Sequence, residues 1–216
     1  MDLLRGLFKS NLSKRFITLA YMTGILPIKK YNSESALNNF DEFTMTSPAM
    51  LAEYVGFTEK EVKGFCKEYG MDFEEARRWY DGYAFPRISH VYSPNSVVKA
   101  MLRGEFSNYW TSTVAYESLK NYISMNYDGL KDVIIKLLAG SRCRVNINTY
   151  ENAMTSFKSK DDVLTMLIHL GYLAYDSTGR EVYIPNEEVR EAFVQAVEGS
   201  GWTTVAKVIL KLSSGQ

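Results

Sequence analysis

Residues 161–197 read DDVLTMLIHLGYLAYDSTGREVYIPNEEVREAFVQAV, and the fold class turns on this stretch. Asp161 to Leu170 has helical spacing, with two acids in the first turn where the helix dipole favours them, and Gly171 stops it. Tyr172–Tyr175 and Glu181–Ile184 are short strand-like runs separated by Asp176-Ser177-Thr178-Gly179, a turn signal. Pro185-Asn186 then opens a second helix to about Val197. A helix, a two-stranded ribbon and a second helix predict a winged-helix-like unit. Upstream, Cys143, Val145 and Ile147 alternate with polar neighbours and predict a further short strand. Such a unit packs against protein as readily as against DNA. Here its second helix carries Glu187, Glu188, Glu191 and Glu198 against Arg190, a charge that repels phosphates.

Further upstream the signals are mostly helical. Pro48 opens PAMLAEYVG, which Gly56 ends. Thr58 and Glu61 have capping-box spacing, and Val62, Phe65, Cys66 and Tyr69 form an apolar face that closes at Gly70. Asp72 repeats the start signal ahead of Ala76, Trp79 and Tyr80. Ser93-Pro94 begins a helix to Arg103 with Val97, Val98, Met101 and Leu102 inward, and Gly104 closes it. Trp110 precedes a cap cluster and a helix over Val114–Met125; another runs from Gly129 to Leu138. Between these helices lies WYDGYAF (79–85), four aromatics around the turn Asp81-Gly82. Aromatics of that density either pin a turn by packing or form a contact surface. Trp79, Tyr80, Asp81, Gly82, Tyr83 and Phe85, with Pro94 and Trp110, are the candidate interaction or structural residues.

The N-terminal part differs. FITLAYM (16–22) predicts a strand buried on both faces, closed by Thr23-Gly24, with a second strand around 25–29. Such a strand needs partners on both edges. Thr23, at its carboxyl end, is either a sensor-like hydroxyl placed to bond a phosphate or an attacking water, or simply the turn that ends the strand. Leu3, Leu4, Leu7 and Phe8 predict a helix over 2–10, and residues 32–47 predict a loop.

Composition narrows the function classes. The chain has 216 residues, 46% hydrophobic and 23% charged, with 25 basic groups against 25 acidic. A neutral balance lacks the basic excess of a protein that wraps nucleic acid. Cys66 and Cys143 are too few and too far apart for a disulfide framework or thiolate metal site, and His90 and His169 make a His-rich centre unexpected. His169 reads as a structural helix residue and His90 as a surface residue in a loop. Residues 1–30 carry six basic groups and one acidic, and residues 31–60 carry one basic and five acidic. This asymmetry predicts a solvated or interdomain face, and less readily a face for nucleic acid or a phosphate. No secretory leader or 18-residue apolar span occurs in the sequence, so a cytoplasmic location is expected, with no membrane partner. GxxxxGK[ST], G-x-S-x-G, H-E-x-x-H and C-x-x-C are all absent, and no catalytic or metal-ligating residue is assigned.

In order along the chain, FITLAYMTGILPI (16–28), ESALNNF (34–40), EYVGFTEKEV (53–62), RRWYDGYAF (77–85), VYSPNSVVKAM (91–101), NYWTSTV (108–114), HLGYLAY (169–175) and VYIPNEEVREAF (182–193) resemble the predicted AAA-ATPase-like family. Many of its members carry a PD-(D/E)XK-type nuclease domain. The resemblance implies a predominantly α-helical chain in four parts. Residues 1–47 would be a remnant of a P-loop ATPase-like sheet, 48–140 a helical lid or adaptor, 141–197 the winged-helix-like unit, and 198–216 a tail or helix. It implies that Asn38 and Asn39 belong to a contact region, where Ala36 replaces the family's usual glycine. It further implies a sensor and lid portion without the phosphate loop, the magnesium-binding acids or the nuclease. MgATP is then expected only for a complete member, and the partner is an ATPase half or another protein surface, with a homo-oligomer open. The competing expectations are a stand-alone interaction module using residues 79–85 and a weak DNA-binding winged helix.

Overall fold

A computed structural model describes residues 6–8, 11, 15–27, 40–110, 114–124, 127–150 and 157–199. Capping chemistry sets most helix boundaries. Thr58 and Glu61 form a reciprocal capping box at the start of α1 (Glu59–Tyr69), which ends at Gly70 with φ 67°. The Asp72 carboxylate accepts the Glu75 N–H and starts α2 (Phe73–Tyr80). Pro94 occupies the first turn of α3 (Pro94–Arg103), closed by Gly104 at φ 68°. Further along the chain come α4 (Val114–Ser124), α5 (Leu130–Leu138), α6 (Lys160–His169) and α7 (Glu187–Gly199). Residues 49–54, within the stretch expected as a helix, form a six-residue 3-10 helix.

The fold is mixed rather than predominantly α-helical. Strands β1 (Phe57–Thr58), β2 (Tyr83–Phe85) and β3 (Ile88–Tyr92) form an antiparallel sheet in the order β1-β3-β2. Strands β4 (Cys143–Arg144), β5 (Ala174–Asp176) and β6 (Glu181–Tyr183) form a second, in the order β4-β6-β5. The first sheet lies within the region expected to be a helical lid or adaptor, where only a turn and a loop were expected between helices. Its strands are short, and each gains its backbone partners only across the hairpin or from β1.

Two hydrophobic cores define two lobes. The first collects Val62, Cys66, Ala76, Tyr80, Tyr92, Val97 and Met101 under α1–α3. The second, larger one centres on Leu119, Ile123, Leu130, Ile134, Leu164, Leu167 and Phe193 from α4–α7. A small third cluster of Tyr83, Val91 and Ala174, flanked by Trp110 and Tyr183, lies between them. On α3, Val97 and Met101 point inward as expected, but Val98 and Leu102 are exposed.

The expectation of a buried strand at 16–22 is overturned. Residues 15–27 contain no strand, and Phe16, Leu19, Tyr21 and Ile25 are exposed, Leu19 at 87%. Among the described residues nothing pairs with this segment, and an apolar strand without a ladder leaves its backbone groups to water. Instead it lines one side of an open apolar crevice of about 990 Å³, whose other wall is Phe40–Met45, Pro48, Leu51 and Val55. The helix expected over 2–10 is described only at residues 6–8, which are helical. Asn38, Asn39 and the tail beyond Gly199 lie outside the described residues. No helix among the described residues is long and apolar enough to cross a membrane.

Candidate functional site at the lobe seam

The Asp81-Gly82 turn joins α2 to β2, and the chain there does two jobs at once. Its backbone reaches across to the second lobe. The Asn186 side-chain N–H donates to the Asp81 carbonyl at 2.8 Å, and the Tyr183 hydroxyl donates to the Gly82 carbonyl at 3.0 Å. In the opposite direction, the Tyr83 hydroxyl donates to the buried Gly171 carbonyl at 2.6 Å. Gly82 has φ 117°, and a Cβ there would stand 2.0 Å from the Pro185 carbonyl oxygen, so only glycine fits. Asn186 also accepts the Val189 N–H with its side-chain oxygen, capping α7 while it holds Asp81.

The Asp81 carboxylate belongs to the first lobe. Its Oδ2 accepts the His90 Nδ1–H at 2.7 Å and lies 3.8 Å from Arg77 Nε, whereas Oδ1 is buried with no partner among the described residues. His90 is therefore not a loop surface residue: it sits on β3, half-buried, locked to Asp81 by the hairpin. Pairing across nine residues required the β2–β3 hairpin that sequence reasoning missed. Tyr80 is fully buried, its hydroxyl donating to the Ser107 carbonyl and accepting the Ser107 N–H, at 3.0 and 3.1 Å. Burial raises the Tyr80, Tyr83 and Tyr92 hydroxyls well above ordinary phenol values, so none supplies a tyrosinate near neutral pH.

Trp79 packs beside Tyr80, and its indole N–H is buried without a partner among the described residues. Trp110 lies on Tyr172 with ring centroids 5.6 Å apart and covers Gly171. Phe85 is half-buried at the seam cluster. Pro94 is exposed at the start of α3 and makes no part of the seam. Thr23 is exposed in the irregular segment 15–27, which holds no strand. His169 ends α6 and stacks on Tyr150, with centroids 5.9 Å apart.

Sequence reasoning missed one further residue. Glu188, noted only for its charge, is fully buried, and its Oε1 accepts both the Ser96 hydroxyl at 2.9 Å and the Tyr109 N–H at 2.8 Å. Its backbone carbonyl accepts the Asn108 side chain at 3.0 Å. Burial pushes the Glu188 carboxyl above the usual range, against the Ser96 hydroxyl, the Tyr109 and Trp110 amides and Lys99. Burial likewise raises both thiols, so Cys66 and Cys143 are poor nucleophiles. Among the described residues no group of three or more His, Cys, Asp or Glu side chains could hold a metal ion. The seam is thus equipped to hold two lobes in register.

No family model matches the chain, and no solved structure matches it. An uncharacterized protein in the vnfD 5′ region of Azotobacter chroococcum mcd 1 is 31% identical over 103 residues, 47% of this chain. The matched stretch is 19% of that protein's length, so the chain spans a small part of its relative.

Proposed function

We propose that this chain is the sensor and lid portion of a P-loop ATPase-like protein, carrying nucleotide state through packing instead of performing chemistry. The observation that supports it most is the exposed apolar segment Phe16–Ile25. A run of β-forming residues held in water is what a sheet strand becomes when its neighbours are supplied elsewhere. A P-loop core is the partner in this proposal, a cytoplasmic location goes with it, and MgATP belongs to that core. The residues present do not fit the nucleotide by themselves. Organising a triphosphate takes a cradle of amides and a lysine, and Thr23 offers one hydroxyl on an irregular segment.

The strand order β4-β6-β5, with α5 ahead of the sheet and α6 between β4 and β5, agrees with a winged-helix-like unit. Its α6 supports a packing role for that unit over a DNA-reading one. Asp162 to Ile168 are all buried, leaving no face to enter a groove. The stand-alone interaction module is less favoured, because Tyr80, Asp81 and Tyr83 are spent inside the molecule.

Calorimetric titration of the chain with MgATP tests the proposal. No heat at micromolar nucleotide is expected; micromolar binding by the chain alone would overturn it. A dye that reports exposed apolar surface is expected to bind the chain, and Leu19→Ser with Tyr21→Ser to weaken that binding.

A further inference from the structure

Three segments meet on one buried carboxylate. Ser96 of α3, Tyr109 of the strap between α3 and α4, and α7 itself all converge on Glu188. Oε1 takes both donors, and Oε2 has no hydrogen-bond partner among the described residues. Lys99 on α3 attracts the anion, yet no ion pair to Glu188 forms among the described residues. An anion buried without a paired cation is costly, and the cost disappears in either of two ways: the carboxylate takes a proton, or the seam opens to water.

We infer that Glu188 is a proton-controlled clasp between the lobes: protonated, it holds α3 and the strap against α7, and ionised, it releases them. The proton comes from solvent and goes to Oε2, since Oε1 is occupied by two donors. The Oε2–H then lacks an acceptor, a smaller penalty than a buried charge. The phenols around Glu188 do not ionise near neutrality. Tyr80 from α2, Tyr83 from β2 and Tyr109 from the strap are kept as neutral phenols by burial. On α7, Glu191 is the competitor. It is half-buried, raised by burial and by Glu187, and close to Asn108, Arg190 and Arg78.

Amide hydrogen exchange of the full chain between pH 4.5 and 8, corrected for intrinsic rates, tests the clasp over residues 94–110. The wild type should lose protection there as pH rises, by at most about tenfold per pH unit for a single proton. Glu188→Gln keeps the shape and cannot ionise, so its protection should not vary with pH, while Glu191→Gln should follow the wild type. A second variant, Ser96→Ala, removes a donor that favours the anion and should move the wild-type midpoint to higher pH. The clasp is refuted if Glu188→Gln keeps the wild-type profile, if the wild type shows no pH dependence, or if Glu191→Gln abolishes it. Should Glu188→Gln fail to fold, an unmoved midpoint in Ser96→Ala refutes it equally.

Discussion

Replacing Gly82 with alanine should be among the most damaging single-methyl additions in the molecule. The new Cβ would stand 2.0 Å from the Pro185 carbonyl oxygen, 2.6 Å from its carbon and 2.9 Å from its Cα, all main-chain atoms that cannot rotate aside. The φ of 117° adds backbone strain of about 1–3 kcal/mol for a residue with a side chain. Relief requires the turn to lift off Pro185. That lengthens the bonds from Asn186 to the Asp81 carbonyl and from Tyr183 to the Gly82 carbonyl, each worth about 1 kcal/mol net. The sum is about 3–5 kcal/mol, a large share of the roughly 5–15 kcal/mol that holds a domain folded. Urea unfolding followed by tryptophan fluorescence and far-UV circular dichroism would measure it. If the seam is what couples the lobes, the two signals should also separate and the denaturant slope should fall. Gly104→Ala is the control. Its φ of 68° is similarly unfavourable but nothing lies within 4 Å of the added carbon, so about 1 kcal/mol is expected. A Gly82→Ala loss as small as the control's, with coincident transitions, would refute the seam argument.

Tyr83→Phe should cost about 1–3 kcal/mol, because it strands the buried Gly171 carbonyl that now accepts a 2.6 Å bond; a neutral result in urea unfolding would count against that bond. Thr58→Ala removes the α1 capping box and should cost about 1 kcal/mol in the same assay while leaving the seam intact. Leu19→Ser with Tyr21→Ser should change stability by no more than about 0.5 kcal/mol, since both side chains are exposed; a large drop in melting temperature would mean that they pack in solution. Glu188 titrates higher folded than unfolded, so the folded chain binds the extra proton. Its favourable contribution is complete below the unfolded carboxylate value and is lost as pH rises through the folded one. Urea stability of the wild type should therefore fall over that window with a limiting slope of about 1.36 kcal/mol per pH unit, and Glu188→Gln should remove this component.

Helix ends were legible because their chemistry is local. Thr58 with Glu61, Asp72 with Glu75, and glycines 70 and 104 satisfy orphan backbone groups within a few residues, and the sequence carries those pairs side by side. The second sheet was legible too, since β5 and β6 flank one polar turn. The first sheet was not. Phe57 pairs with Tyr92 and Thr58 with Val91, partners more than thirty positions away on strands of two and five residues. One signal for the hairpin did exist, in the apolar residues Tyr83, Phe85, Ile88 and Val91 on either side of Pro86-Arg87. FITLAYM shows the opposite failure: its strand pattern is plain, but a pattern states a preference, and a ladder requires a neighbour that the described residues do not supply. Glu188 was hidden for a related reason. An acid in a first helical turn reads as a dipole partner facing water, and only the tertiary fold brings Ser96 and the Tyr109 amide onto it.

The seam also bears on how motion could pass through the molecule. Helix α6 is buried along Asp162–Ile168, and its two buried polar side chains are internally satisfied. Asp162 accepts the Thr149 hydroxyl at 2.9 Å and the Lys158 N–H at 2.8 Å, and Thr165 donates to the Asp161 carbonyl at 2.7 Å. Such a helix is a fixed post inside its lobe. Helix α7 is different: Val189 and Phe193 face the core, while Asn186 and Glu188 at its start reach the other lobe. Any shift of that start must pull on Asp81, whose carboxylate is tied to His90 and Arg77. It must also pull on Ser96 and the strap, which hold α3. A displacement at the seam therefore cannot be absorbed by one loose side chain; it is shared between β3, α2 and α3, the elements that frame the first core.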